Sequence, residues 1–500
     1  LKLFQAYDLV KKHITQKSRQ KIEQDFLLEL FLDVKAYEPL SNKAGPVRAS
    51  RVAFGLVYNN KTELNAGLKG YHKILEGQFH PDGSMKESPI YGHKPIGEDL
   101  WRIPEMMRGT QDLYANSLLE KAFQAFTDIA TPEGKYPPLD DSYVYSGTPT
   151  RTFDIAAKRC QILIPGDGGA PPSDFAILNT DLSNRPKRPS SGKAFNHYYE
   201  GRHLACVGFG SGAKHTQLYF LGEDGHRGHR HAGPLTLQLF ANGREIFPDL
   251  GYICDHPGNQ WVKATASHQT VTIDGQNLYP GTASSLLGFA TKGSAHFVDM
   301  HLQHTNGTSL RRAITLLRKP DGLPILIDLF DVEGASFHDY NTRIIAPPKS
   351  LKIEPELQPR KNSLYQNHSF YPLKDFQTAG KTDGGWNASW GRGQEKVQAH
   401  ILTASTEVIT YRSPGWRSQM EITSEPNKYL DTLVLRNRKK HSRFVVVYEI
   451  IKGQSQLRRA TLNTSGEHPT ITLSLTKNKT TIITMPNHIQ QHSETLWQVK

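Results

Sequence analysis

Three histidines and two arginines crowd into six consecutive positions, His226-Arg227-Gly228-His229-Arg230-His231, just ahead of a run that alternates apolar and polar side chains. Like cations repel and packing gains nothing from such a cluster, so it points to proton transfer or metal ligation rather than to a core. His229 and His231 are two apart, and in an extended stretch both rings project the same way and can serve one site. The run at 235–240 ends in Ala241-Asn242-Gly243-Arg244, whose Asn-Gly centre predicts a tight hairpin, and the chain resumes with Glu245-Ile246-Phe247. A hairpin returns Asp249 to the side of His231, and His268 heads another alternating run at 269–274. Two imidazoles and a carboxylate form an ordinary zinc set with a fourth position for water or another side chain. The bland alternative is that Asp249 caps a turn and His268 lies on the surface.

Such residues need elements to hold them. Up to about residue 130 the periodicity is helical, in an apolar-rich segment at 26–32 and another at 98–130, where Leu100, Ile103, Met107, Leu113, Tyr114, Leu118 and Phe126 recur at three- and four-residue steps. Gly and Pro cluster between such segments, at Lys43-Ala44-Gly45-Pro46 and Phe79-His80-Pro81-Asp82-Gly83. The stretch 165–193 is rich in Gly, Pro, Ser, Asp and Asn and reads as a linker. Beyond it the period becomes two, with strands expected at 325–331, 397–403, 432–436, 444–451, 470–475 and 481–485. The fold class is therefore α+β and multidomain: helices over 1–160, a linker over 161–193, and a large antiparallel β-sandwich over 194–500 with a further division near 390. The active cleft is expected between helices and sandwich.

Composition narrows the function. The chain has 500 residues, 60 Lys+Arg against 48 Asp+Glu, a formal charge of +12 and a pI near 9.3. Hydrophobic residues at 37% supply real cores and exclude a largely disordered chain. No run approaches the ~18 apolar residues that a spanning helix requires, which excludes an integral membrane protein of that kind. Cys160, Cys206 and Cys254 are too few and too scattered for a disulfide framework. The basic residues are spread along the chain with no nucleic-acid motif, so the charge hints at an anionic substrate rather than at DNA or RNA. The first residues, Leu1 to Tyr7, read as a helix interior without signal-peptide layout, and the numbering is expected to begin inside a longer or processed chain. Six N-x-[ST] sequons, at Asn60, Asn306, Asn367, Asn387, Asn463 and Asn478, signify glycosylation only in a host that glycosylates.

Taken in order, His229-Arg230-His231-Ala232, Leu239-Phe240-Ala241-Asn242-Gly243-Arg244, Pro248-Asp249-Leu250-Gly251-Tyr252 and Ala266-Ser267-His268-Gln269-Thr270-Val271-Thr272-Ile273-Asp274-Gly275 resemble the heparinase II/III-like superfamily of polysaccharide lyases. Departures are Arg230 for the usual Gly, Gly233 for Asp, Leu250 for Pro and Gln269 for Asn, and none replaces a ligand. The resemblance implies an incomplete α/α toroid, here its C-terminal part, followed by the sandwich. It implies that His231, Asp249 and His268 hold a structural zinc, and that His229 faces the substrate. Two loops of the first part resemble toroid loops: 80–93, bringing Glu87, Tyr91 and His93, and 136–145, bringing Tyr143 and Tyr145. By resemblance His93 neutralises a uronate carboxylate, and either Tyr143 or Tyr145 is the catalytic tyrosine. Tyr143 is preferred because it directly follows Asp141-Ser142. Glu87, Tyr91, Arg230 and Tyr252 are the expected substrate-binding residues.

The implied reaction is β-elimination on a uronic-acid polymer. A base removes the weakly acidic proton on C5, donors stabilise the enolate-like dianion, and a tyrosine of lowered pKa serves as base and then acid. Charge and resemblance together favour a glycosaminoglycan such as heparin or heparan sulfate over alginate, and the resemblance implies a periplasmic or secreted location. Two rivals from other classes are a metal-dependent hydrolase built on the same His/Asp cluster and a non-catalytic polysaccharide-binding protein.

Overall fold

Helices begin where an asparagine can cap them. Asn60 accepts from the backbone N–H of Glu63 and opens the helix Lys61–Gln78, and Asn116 accepts from Leu118 and Leu119 and opens Ser117–Asp128. The computed structural model describes residues 2–36, 44–88, 101–131, 135–144, 150–162, 173–179, 194–225, 228–347, 349–361, 373–418, 429–466, 468–476 and 479–484. The chain forms two compact units, one of Leu1–Ile129 with Gly147–Arg188, the other of Ala130–Ser146 with Pro189–Lys500.

Among its described residues the first unit is helical, with only an isolated bridge between Phe79 and Met85. Lys2–Val10, Gln16–Ile22 and Glu29–Lys35 precede the helical pair Ala44–Val57 and Lys61–Gln78. That pair packs closely because Gly55 faces Leu64, where an added Cβ would lie 2.6 Å from the neighbouring backbone. Gly45 and Pro46, expected between elements, lie in the first turn of Ala44–Val57, where a proline lacks only an N–H that would be unpaired anyway. The expected continuous segment 98–130 is two helices, Arg102–Met107 and Ser117–Asp128. Gly109, at φ +86°, turns the chain between them. The expected linker contains the helix Asp174–Asn179, too short for periodicity to reveal, with Phe175 and Ala176 buried and Ser173 bonded to Asp154. None of the described helices is long and apolar enough to cross a membrane.

The second unit is β-rich and antiparallel. A five-stranded meander runs from His197–Tyr199 through Leu204–Phe209, Thr216–Leu221 and Thr236–Ala241 to Arg244–Phe247. Eight- and six-stranded sheets follow, then a three-stranded sheet over 457–484. The expected Asn-Gly turn is present, with Asn242 at φ +53° and Gly243 at +67° between paired Ala241 and Arg244. One apolar core joins Leu218, Leu237, Val271, Ile314, Phe330 and Val446 from the three large sheets. Trp390 lies inside the strand Trp386–Arg392 of the eight-stranded sheet, so the sandwich does not divide there. The loop 130–146, expected with the helices, packs with the sandwich instead.

Candidate active site

Asp140 and Asp141 sit side by side in that loop, both buried, and each gathers a different set of cations. Asp140, at φ +54°, pairs with Arg202, accepts from Arg230 Nη1 at 3.0 Å and takes the backbone N–H of His231 at 3.0 Å. Arg230 also pairs with Asp224. Its side chain is only 2% exposed and is consumed by two carboxylates, so the expected substrate-binding role does not fit where it lies.

Asp141 is the hub of the histidine cluster. His229 Nδ1 donates to Oδ2 at 2.8 Å, while His231 Nε2 at 3.0 Å and Lys263 Nζ at 2.6 Å both reach Oδ1. Burial pushes the Asp141 carboxyl up, but the bonds from His229 and His231, the His231 charge and Lys263 outweigh it and hold it well below the ordinary carboxylate range. The two histidines converge for a reason other than the expected extended backbone: His229 stands at φ +54°, and the turn carries its ring onto the carboxylate that His231 also meets.

The expected ligand trio does come together. Side-chain donor atoms of His231, Asp249 and His268, all buried, lie within 4.8 Å of one another. His268 Nδ1 donates to Asp249 Oδ2 at 2.7 Å, and Gly251 N–H to Oδ1 at 2.9 Å. Among the described residues, His231 Nδ1 and His268 Nε2 are buried without hydrogen-bond partners. In the neutral ring, with Nε2 donating to Asp141, the His231 lone pair falls on Nδ1, and a metal ligand backed by a carboxylate is the common arrangement for a zinc-binding imidazole. Two orphaned imidazole nitrogens beside a carboxylate fit a zinc ion. Packing is tight here: a Cβ on Gly233 would meet the His268 ring at 2.9 Å.

Buried groups hold these segments in place. Arg312 Nη1 donates to the carbonyls of Leu235 at 2.7 Å and Gln269 at 2.5 Å, next to the segments bearing His231 and His268, while its other nitrogens pair with Asp328. Ala232 N–H bonds Lys263 O at 2.9 Å, and Tyr252 N–H bonds Ser142 O at 2.9 Å. Gly251, at φ +64°, permits the latter approach, since a Cβ would stand 2.5 Å from Ser142 O.

Around this base lies a more open rim. The side chains of His229 and Lys263 are 31% and 30% exposed, and Tyr143 is an exposed ring 5.5 Å from that of Tyr252. Lys263 Nζ lies 4.9 Å over the Tyr252 ring. Burial, then the Cys254 thiol and the Asp141 charge, push the Tyr252 hydroxyl well above its ordinary range, so Tyr252 is held protonated. Glu87 is half-buried in the helical unit. Tyr91, His93 and Tyr145 lie outside the described residues. Sequence reasoning passed over Asp140, Arg202 and Lys263 and took Asp141 as a landmark only. The adjacent carboxylates in an otherwise apolar loop were the available signal.

Residues 213–458 match the family described as Heparinase II/III-like, C-terminal. An exo-oligoalginate lyase of Saccharophagus degradans is 23% identical, covering 56% of this chain and 44% of its own. An alginate lyase of Stenotrophomonas maltophilia is 21% identical, covering 66% and 51%. The chain thus spans about half the length of these curated relatives. Among solved structures, the heparan sulfate lyase HepC of Pedobacter heparinus superposes with TM-score 0.63 at 15% identity, over 90% of this chain and 66% of its own. A heparinase III gives 0.62 at 14% identity, over 89% and 66%. Both share the fold.

Proposed function

With residues 213–458 forming a heparinase II/III-like C-terminal domain, we propose that the protein is a polysaccharide lyase that cleaves a uronic-acid polymer by β-elimination. The observation that carries the reading is one buried carboxylate, Asp141, binding His229 and His231 together two residues before an exposed tyrosine. The helical unit is read as the C-terminal part of an α/α toroid, which the heparinase III likeness supports.

Tyr143 is the base and acid. Its phenolate takes the C5 proton, the electron pair becomes the C4–C5 double bond, the C4–O bond breaks, and the same hydroxyl protonates the leaving oxygen. Tyr252, held protonated, is unsuited to that first step. Negative charge collects on the uronate carboxylate as the proton leaves, and cations already fixed in place stabilise it at no reorganisation cost. Lys263 is such a group, and the resemblance assigns His93 to the same carboxylate. His229 serves as base for the opposite C5 configuration. His231, Asp249 and His268 would hold a zinc ion, which supplies a fixed positive charge that ties the loop 249–252 to the histidine segment.

The basic charge favours a glycosaminoglycan. Alginate is the second reading, favoured by the names of the two curated relatives. A polymer of either kind suits a periplasmic or secreted enzyme. Incubation with a panel of uronate polymers tests the proposal. Growth of ultraviolet absorbance from a 4,5-unsaturated uronate is expected, on heparan sulfate before alginate. Activity on alginate alone would reverse the preference, and no absorbance on any polymer would sink the lyase reading.

A further inference from the structure

The two oxygens of Asp141 are not equivalent. Among the described residues, Oδ1 serves His231 Nε2 and Lys263 Nζ, whereas Oδ2 serves His229 Nδ1. A carboxylate accepts and cannot donate, so each nitrogen aimed at it carries a proton. For a neutral His229 this puts the proton on Nδ1 and the lone pair on Nε2. The ring is about a third exposed, with Asp141 on its inner side, and the left-handed backbone at 229 aims it there. We propose that Asp141 is the positioning residue of this site, fixing His229 as the Nδ1–H tautomer so that Nε2 is the nitrogen offered to substrate. This rests on the reading of His229 as a substrate-facing group.

The asymmetry predicts what an isosteric change does. Asp141→Asn keeps the shape but makes one oxygen an NH2 group. Two donors, one of them an ammonium, demand an acceptor at the Oδ1 position, so the amide oxygen settles there and the NH2 faces His229 Nδ1. A donor then meets a donor. His229 relieves the clash by moving its proton to Nε2, where the lone pair can no longer act on substrate. In the serine-protease triad the corresponding Asp-to-Asn change leaves geometry intact and costs ~10⁴-fold through the wrong tautomer. A merely structural Asp141 would weaken the loop on substitution and leave the tautomer alone.

The test uses the full chain with isotope-labelled histidine, reading each ring's tautomer by long-range proton–nitrogen correlation and assigning His229 by loss of its signals in His229→Gln. The wild type should show the Nδ1–H form and Asp141→Asn the Nε2–H form. Turnover of Asp141→Asn on the polymer whose C5 proton His229 removes should fall ~10²–10⁴-fold, with KM within a few-fold and bound metal unchanged. An Nε2–H tautomer in the wild type would overturn the proposal without any variant having to fold. So would an Asp141→Asn protein that keeps the Nδ1–H form. A wild type with the expected tautomer but no activity on any uronate polymer would uphold the role of Asp141 and remove the lyase reading instead.

Discussion

The sheets of the sandwich and the edge that carries the histidines both bury charge, but they close it differently. In the sheets three arginines each meet a carboxylate through parallel bonds: Arg311 with Asp299, Arg436 with Asp339 at 2.6 and 2.7 Å, Arg443 with Asp331 at 2.7 Å. Little is left over to bind anything else. At the edge three donors converge on Asp141, and two neighbouring imidazole nitrogens have no partner among the described residues. Saturated pairs fix a shape; unsaturated ones hold proton-transfer and ligand capacity in reserve. What sets this edge apart is three donors converging on one carboxylate beside the candidate ligand trio.

Perturbing each side separates the two roles. The largest effect is expected at the open side: Tyr143→Phe should lower turnover ~10²–10⁴-fold, with the thermal midpoint unchanged because the ring still packs on Tyr252. Full activity of this variant would remove Tyr143 from the chemistry. On the closed side, Arg312→Met strands Asp328 and frees the Leu235 and Gln269 carbonyls, so a loss of about 3–5 kcal/mol in denaturant unfolding is expected. A change under about 1 kcal/mol would show that the network does not hold the site. Metal chelation should come next, lowering the unfolding free energy of wild type by about 2.7 kcal/mol where metal stood at a hundred times its Kd, read as a lower thermal midpoint. Loss of that response is expected in His268→Ala.

The smallest effects are pH-dependent and opposite in sign. Burial pushes the Glu105 carboxyl up, but Arg159 and Tyr114 outweigh it and the folded value lies below the ordinary one. Its contribution is present above the unfolded value of ~4.3 and is lost as pH falls through the folded one. Glu105→Gln should therefore be less stable than wild type at neutral pH, with the gap closing in acid. Glu223 is raised well above the ordinary range by burial and then by Asp140. Ionising the unfolded chain draws wild type down as pH climbs past ~4.3, so Glu223→Gln should gain relative stability with rising pH. Equal slopes for the two variants in thermal melts across pH would contradict both assignments.

Much of this was legible in the sequence because hairpin geometry is local. Asn242-Gly243 fixes the turn, the turn returns Asp249 to His231, and the metal trio follows. The strand Ser309–Arg318 was not legible, since Arg311 and Arg312 break the alternation and only their distant partners Asp299 and Asp328 make them burial-compatible. Asp141 was visible as a residue but not as a hub, because His229 lies 88 positions away and nothing local foretells that contact. The charge on Arg230 suggested a substrate contact until Asp140 and Asp224 were seen to enclose it.

The central claim, cleavage by elimination, is tested most directly by the mass of the product. Digestion of a uronate polymer by the full chain, followed by mass spectrometry of the oligosaccharides, should give a new non-reducing end one water lighter than a hydrolytic fragment. Tyr143→Phe should yield almost none of it. New non-reducing ends carrying the full mass of an added water would contradict the account and make the protein a hydrolase.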